Sequence, residues 1–439
     1  MKAVIIGAGS AFGGRLSVDI LSREPLQDST IALCDIDEQK LAVVKQYVES
    51  VIEAHNLPAN VEAGTDRCEL LPGADVVVTT VSIGGPAYYD QPYESEIDIP
   101  ARYGVVQCVG DTVGPGGLFR ALRTAPVMLE MVNDINRLAP GALLLNYTNP
   151  MAILTWLFNE AADGDMLGLC HGVTGNSYRL AGLIDVPLHE CDVVAAGINH
   201  MTWFTKFAHQ GRDVLPEIHQ RIIEEGKKAR RFEGEISSPQ TFAFRHEMIE
   251  NLGYFTTESD RHFPEYVPWF QHEDRWDFMK YYNVTKGVKQ KRANWYEDMG
   301  VKIEQADSIE LIRSHESMSG IMEARKTGEP FTFSGNVMNR GNITNLPEGC
   351  CVELPVTVAG NRIESMQYGD LPLQCAALCR SNINFQELVV RAIRERSREL
   401  AFQALLFDPA TQAVLSIKRI RQLFDEMWEA EEELLAAYE

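Results

Sequence analysis

Nowhere in the 439 residues does an unbroken apolar run reach the ~20 residues that a membrane-spanning helix needs. A protein that crosses the membrane by helices is therefore excluded. The opening "MKAVIIGAGS" has one lysine and a short apolar run ending in glycines, without the cleavage pattern of a secretory signal. Positive charge is scarce: Lys and Arg number 40 against 62 Asp and Glu, a formal net charge of -22. Neither a nucleic acid nor an anionic membrane surface is an expected partner, because each needs clustered cations. A disulfide framework is lacking too. The nine cysteines are odd in number and scattered, with Cys350 and Cys351 adjacent, so a reducing cytoplasm is the expected compartment. Internal repeats and low-complexity segments are absent. What remains is a 45% hydrophobic chain, long enough for a large core and two domains, and suited to a small-molecule enzyme.

Residues 1–195 alternate short apolar runs with amphipathic segments, which predicts parallel strands joined by helices, an α/β doubly wound sheet of Rossmann type. Strands are expected at "KAVIIGA", "TIALCDI", "ADVVVTTV", "ALLLNYT" and "DMLGLCHG"; helices at "DEQKLAVVKQYVESVIEAHN" and "GLFRALRTAPVMLEMVNDINRL". Residues 196–439 change texture, with longer loops and aromatic-rich segments such as "SDRHFPEYVPWF", and read as a second, mixed α+β domain. Its tail is strongly helical and is expected to break once, at Asp408 and Pro409.

"VIIGAGSAFGG" follows the first strand and opens a helix. Gly7, Gly9 and Gly13, with Ser10 among them, would let the backbone approach a pyrophosphate at a helix N-terminus. Asp35 ends the second strand, where a carboxylate accepts bonds from both adenosine ribose hydroxyls and disfavours the 2'-phosphate of NADP. Asp37 is an alternative for that role.

Ligands of an open parallel sheet gather at the carboxyl ends of its strands. "TTVSIGG", "NYTNPM" with Asn149, and "CHGV" should share one crevice with the loop "QCVGDTVGPGG" that carries Asp111. Downstream, "GINHMTW" offers His200. A thiolate from Cys170 and an imidazole from His200 can hold a divalent transition metal and leave positions open to a substrate. Spacing alone equally allows a buried Cys170 and a hydrogen-bonded core His200. His171 would face away from Cys170 if both lay on one strand.

The set "GAGS", "GDTVGPGG", "LNYTNPM", "GLCHGV", "GINHMTW" and "NLPEGCCVELPV", in this order along nearly the whole chain, closely resembles glycoside hydrolase family 4. The resemblance implies a fold shared with lactate and malate dehydrogenases, NAD and usually Mn2+ as cofactors, and a homodimer or homotetramer. It also implies a reaction unlike that of two-carboxylate glycosidases: oxidation of sugar C3, loss of the C2 proton, elimination of the C1 substituent, water addition and re-reduction. On that resemblance Cys170 and His200 match the metal ligands and Asn149 the asparagine that binds sugar beside the nicotinamide. Asp260 is the candidate base for the C2 proton, and His171 or Asp111 the acid for the departing oxygen. Tyr254 and Tyr266 are alternatives for proton transfer.

The Cys-His pair resembles the subgroup acting on unphosphorylated α-glycosides. Together with "SDRH" it looks most like α-galacturonidase and α-glucuronidase members, with Arg261 and His262 as partners for a C6 carboxylate. A neutral α-glucosidase or α-galactosidase is the neighbouring reading. Outside the family stand an NAD-dependent hydroxy-acid dehydrogenase and a non-catalytic NAD-binding regulator.

Overall fold

The computed structural model describes residues 1–84, 92–231, 241–271, 295–308 and 310–438. Five of its first six strands lie where short aliphatic runs predicted them: β1 (Lys2–Ile6), β2 (Thr30–Cys34), β4 (Val76–Thr79), β5 (Leu143–Asn146) and β6 (Met166–Leu169); β3 (Asn60–Gly64) is the addition. They pair in parallel in the order β3-β2-β1-β4-β5-β6. The inner strands are buried along nearly their whole length, as strands covered by helices on both faces must be, whereas the outer β3 is partly exposed and carries Asn60 and Glu62. The strand order reverses between β1 and β4, the point at whose carboxyl ends sheets of this kind bind their ligands. The expected Rossmann-like half is therefore present.

The second half does not form a separate sheet. β7 (Cys191–Ile198), β8 (Met201–His209), β9 (Arg212–Asp213), β10 (Phe255–Thr256), β11 (Phe331–Met338), β12 (Cys351–Ala359) and β13 (Arg362–Ser365) extend the first sheet past β6. Pairing is antiparallel throughout this extension, in the order β6-β11-β12-β7-β8-β10, and 13 strands make one sheet. The boundary expected at residue 195 falls inside β7. Helices packed around this extension supply the α+β character of the second half.

Capping side chains set the helix starts. Ser10 accepts from Gly13 N at the helix Ala11–Leu21, and Asp37 accepts from Lys40 N at Glu38–Ala54. The tail breaks three times rather than once, giving helices Leu373–Glu395, Arg398–Leu405, Pro409–Val414 and Ile417–Ala430. Arg396 is left-handed (φ 51°) and Ser397 caps the next helix through Leu400 N, so a C-cap and an N-cap meet back to back. Asp408 caps Pro409–Val414 through Thr411 N (2.8 Å) and with its other oxygen accepts from Gly114 N (3.0 Å), tying the tail to the crevice loop. Among the described residues no helix is long and apolar enough to cross a membrane.

Candidate active site

The glycine loop folds back over β2: Gly7 N and Ala8 N both donate to the Cys34 carbonyl, at 2.8 and 3.0 Å. Gly7 has φ +93°, and a Cβ there would stand 2.3 Å from the Thr80 carbonyl oxygen. Gly9 passes so close to Asp35 that a Cβ would lie 2.7 Å from its carboxyl carbon. Asp35 accepts from Gly9 N (2.7 Å) and Asp37 N (2.9 Å), which fixes its carboxylate at the rim of the loop with further lone pairs free. Asp37 is committed elsewhere, to Lys40 N and the Lys40 ammonium (3.0 Å each). Of the two aspartates, Asp35 is the one placed to meet a ribose.

At the other end of the crevice, five segments converge. Asn149 follows β5 and donates through Nδ2 to Asp111 Oδ2 (2.8 Å). Cys170 follows β6, which ends at Leu169, so Cys170 points from a strand end and His171 already caps the next helix. His200 sits with Asn199 on the two-residue turn between β7 and β8, in a left-handed conformation (φ 63°). His262 and Tyr266 flank the short helix Phe263–Glu265. His200 Nδ1 lies 2.9 Å from His262 Nε2, 3.1 Å from Tyr266 Oη and 3.4 Å from Thr112 Oγ1. Its Nε2 faces the opposite way, 3.7 Å from Glu258 Oε1.

The ionisation pattern follows from these contacts. Burial would raise the Asp111 carboxyl, but the charge and hydrogen bond of His262 (Nε2 to Oδ1, 3.1 Å) outweigh it and hold the acid well below its usual range. Burial correspondingly disfavours a charged His262. The carboxylates of Glu265 (3.1 Å from Nδ1) and Asp111 prevail, and the imidazolium is held well above the usual histidine range. Glu265 also accepts from the backbone N–H groups of Cys108, Val109 and Gly110 (2.7–3.0 Å), so it both supports His262 and shapes the loop before Asp111. His200 is lowered by burial and is a neutral imidazole, the form that ligates metals. Burial, with Glu353 and Glu258 nearby, pushes the Cys170 thiol well above its usual range until a cation displaces the proton. Tyr266 is held as a phenol, chiefly by burial and then by Asp111.

Three expectations need correction. Asp260 is fully buried, but it does not join this group: it accepts from Thr241 Oγ1 (2.6 Å), Arg245 N (3.1 Å), Phe244 N (3.2 Å) and Arg245 Nε (3.4 Å). A carboxylate saturated by a helix start and a buried guanidinium is poorly placed to take a carbon-bound proton. His262 is not available to a sugar carboxylate, because Glu265 and Asp111 hold both its nitrogens. His171 is 73% exposed and turns to Glu316 (3.6 Å), outside the hydrogen-bonded group. Arg261 has a buried Nε with no hydrogen-bond partner among the described residues. Tyr254 is half-buried before β10, against the main core. Nothing in the sequence pattern marks Glu258 or Glu265, whose partners lie in other segments.

Among the described residues two groups of donors could accept a metal ion: Cys170, His200 and Glu258, and Asp111, His200 and His262, with the atoms of each within 4.8 Å of one another. The first offers sulfur, nitrogen and oxygen, which suits a divalent transition metal. The second contains an imidazolium with no lone pair to give.

Comparison with known proteins bears on this arrangement. Residues 2–186 match the family 4 glycosyl hydrolases and residues 195–411 the family 4 glycosyl hydrolase C-terminal domain. An alpha-galactosidase of Rhizobium meliloti is 36% identical, covering 100% of this chain and 89% of its own. An alpha-galacturonidase of Bacillus subtilis is 31% identical, covering 97% and 96%. In fold, the chain is similar to a 6-phospho-alpha-glucosidase from gut microorganisms solved in complex with NAD and Mn2+ (TM-score 0.82, 22% identity, 99% and 98% covered). It is more distantly similar to malate dehydrogenase from Salinibacter ruber (TM-score 0.54, 12% identity, 90% and 99% covered). With both halves matched and such relatives spanning it, the chain belongs to glycosyl hydrolase family 4.

Proposed function

We propose that this protein hydrolyses unphosphorylated α-galactosides with NAD and Mn2+ as cofactors. The observation that carries this reading is the convergence of Cys170 and His200 beside the Asn149–Asp111 pair, at the same strand ends that the glycine loop occupies. Identity to an alpha-galactosidase over the whole chain supports the galactoside. The glycine loop, Ser10 and Asp35 would hold the dinucleotide, and Cys170 Sγ and His200 Nε2 the cation. When bound, NAD+ supplies a reversible hydride acceptor for sugar C3 and the cation a Lewis acid for the C2 and C3 oxygens.

The chain's own groups then handle position and protons. Asn149, fixed by Asp111, orients the sugar hydroxyls at the end of β5. Tyr266, between His200 and His262, takes the place expected of Asp260 and accepts the C2 proton on its phenolic oxygen. Its own proton first passes by way of Thr112 Oγ1 to the Asp111 carboxylate, which returns it to the departing C1 oxygen. Residence in the cytoplasm is part of this reading, supported by nine free cysteines, as is a homodimer or homotetramer, which sedimentation would read.

A second reading, the α-galacturonide, is favoured by the Nε of Arg261, which has no partner among the described residues and suits a C6 carboxylate. Hydrolysis of p-nitrophenyl α-galactoside, α-galacturonide, α-glucuronide and α-glucoside, with and without NAD+, Mn2+ and a thiol reductant, separates the readings. Fastest cleavage of the galactoside, dependent on both cofactors, is expected. Preference for the galacturonide, lost in Arg261→Gln, would replace the first reading by the second. Net NADH formation from hydroxy acids without glycoside cleavage would overturn both.

A further inference from the structure

We propose that Glu258 is a third protein-borne donor to the divalent cation, holding it with Cys170 and His200 when no sugar is present. This rests on the reading that Cys170 and His200 bind the ion. Three observations lead to Glu258.

The first is the direction in which His200 is free. Its Nδ1 side is filled by His262, Tyr266 and Thr112. With the His262 Nε2–H given to Asp111 Oδ1 (3.1 Å), His200 can carry its proton on Nδ1 and donate it to Tyr266 Oη (3.1 Å), as metal-bound histidines donate from their second nitrogen, and the Nε2 lone pair is left open. That lone pair faces Glu258 Oε1 at 3.7 Å.

The second is convergence from both sides. A Cβ built on Gly172 would lie 3.4 Å from Glu258 Oε1 and 3.5 Å from Cys170 Sγ, so the carboxylate and the sulfur come together over that glycine. Sulfur, imidazole nitrogen and carboxylate oxygen thus meet within 4.8 Å. Catalytic transition-metal sites commonly use three protein donors and an open position. With Cys170 and His200 alone, the ion would depend on the sugar's oxygens for retention between turnovers.

The third is that Glu258 has no other work. Its side chain is 17% exposed, yet among the described residues its carboxylate meets only the backbone N–H of Ser259 (3.3 Å) and the His200 ring. It is held there with φ 75°, a region that a glutamate rarely adopts. By contrast Glu265, deeper in the same loop, is saturated by three backbone N–H groups and His262.

The test uses the full-length protein with NAD+ bound and no sugar, titrated with Mn2+ while electron paramagnetic resonance follows the free ion. Glu258→Gln is expected to bind Mn2+ at least about tenfold more weakly than wild type, with NAD+ affinity and the circular dichroism spectrum unchanged. Cys170→Ser should be weakened as well. Wild-type affinity in Glu258→Gln, alongside loss in Cys170→Ser, would remove Glu258 from the ligand set and leave the two-residue site standing. Wild-type affinity in both variants would place the ion elsewhere and end both readings. Should Glu258→Gln not fold, a crystal structure of the wild-type protein with NAD+ and Mn2+ decides: a Glu258 oxygen bonded to the ion is expected, and a carboxylate turned away from a bound ion overturns the proposal.

Discussion

Asp111 and Asp260 are both buried, both belong to loops leading into the same crevice half, and both look suited to proton transfer when read as sequence. Their surroundings separate them. Asp111 faces His262, Thr112 and Asn149, all side chains, two of them able to exchange a proton. Asp260 faces the Thr241 hydroxyl, the start of the helix Arg245–Leu252 and the fully buried guanidinium of Arg245, a set of donors that fills its lone pairs. The role of a carboxylate is thus decided by what already occupies its lone pairs, a long-range property that residue type does not carry.

The largest expected effect sharpens this contrast. Asp111→Asn should lower kcat on the preferred glycoside by about 10²–10⁴, because the carboxylate that carries the proton is lost, and should also lower the melting temperature, because His262 then keeps only Glu265 as its counter-charge. Steady-state kinetics with saturating NAD+ and Mn2+ checks it. Asp260→Ala should spare the chemistry: it removes the carboxylate beside the buried Arg245 guanidinium, at about 3–5 kcal/mol of stability by urea denaturation, while the folded fraction keeps its C2 proton exchange.

A third buried carboxylate extends the comparison. Glu353 on β12 accepts from Thr202 Oγ1 (3.1 Å) and Ser334 Oγ (3.3 Å), and burial pushes its carboxyl up to about 7. A group raised on folding contributes stability below its unfolded value, and that contribution is lost as pH rises through the folded value. Denaturation from pH 4 to 8 should therefore show Glu353→Gln gaining on wild type by about 1–3 kcal/mol as pH rises through about 7. The smallest effects belong to the outer pair. Asp37→Ala should cost about 1 kcal/mol of stability through the lost cap, with NAD+ affinity intact, whereas Asp35→Ala should weaken NAD+ roughly tenfold by calorimetry.

Local signals were read well from the sequence because they are local. The aliphatic strand runs, the glycine loop and the Asp37–Lys40 helix start each lie within a few residues, and each stands where the pattern predicts it. The break at Arg396 and Ser397 was also local, but its cap residues sit inside an otherwise helical pattern that conceals them. The crevice is different. His200 reaches Cys170 only because β7 and β8 close on a two-residue turn and join the first sheet through β12 and β11. Glu265 shapes a loop more than 150 residues earlier in the chain. The family resemblance names Cys170, His200 and Asn149, which the fold brings to one set of strand ends, and it names Asp260, which lies under a helix start.

The central claim is that proton removal from sugar C2 is carried out by the Asp111, His262 and Tyr266 group and not by Asp260. It is tested most directly by turning over an α-galactoside in deuterated water with NAD+ and Mn2+, and reading deuterium at C2 of the released sugar for wild type, Tyr266→Phe and Asp260→Asn. One deuterium at C2 is expected with wild type and with folded Asp260→Asn, and none with Tyr266→Phe. Full labelling by Tyr266→Phe, with none from folded Asp260→Asn, would contradict it.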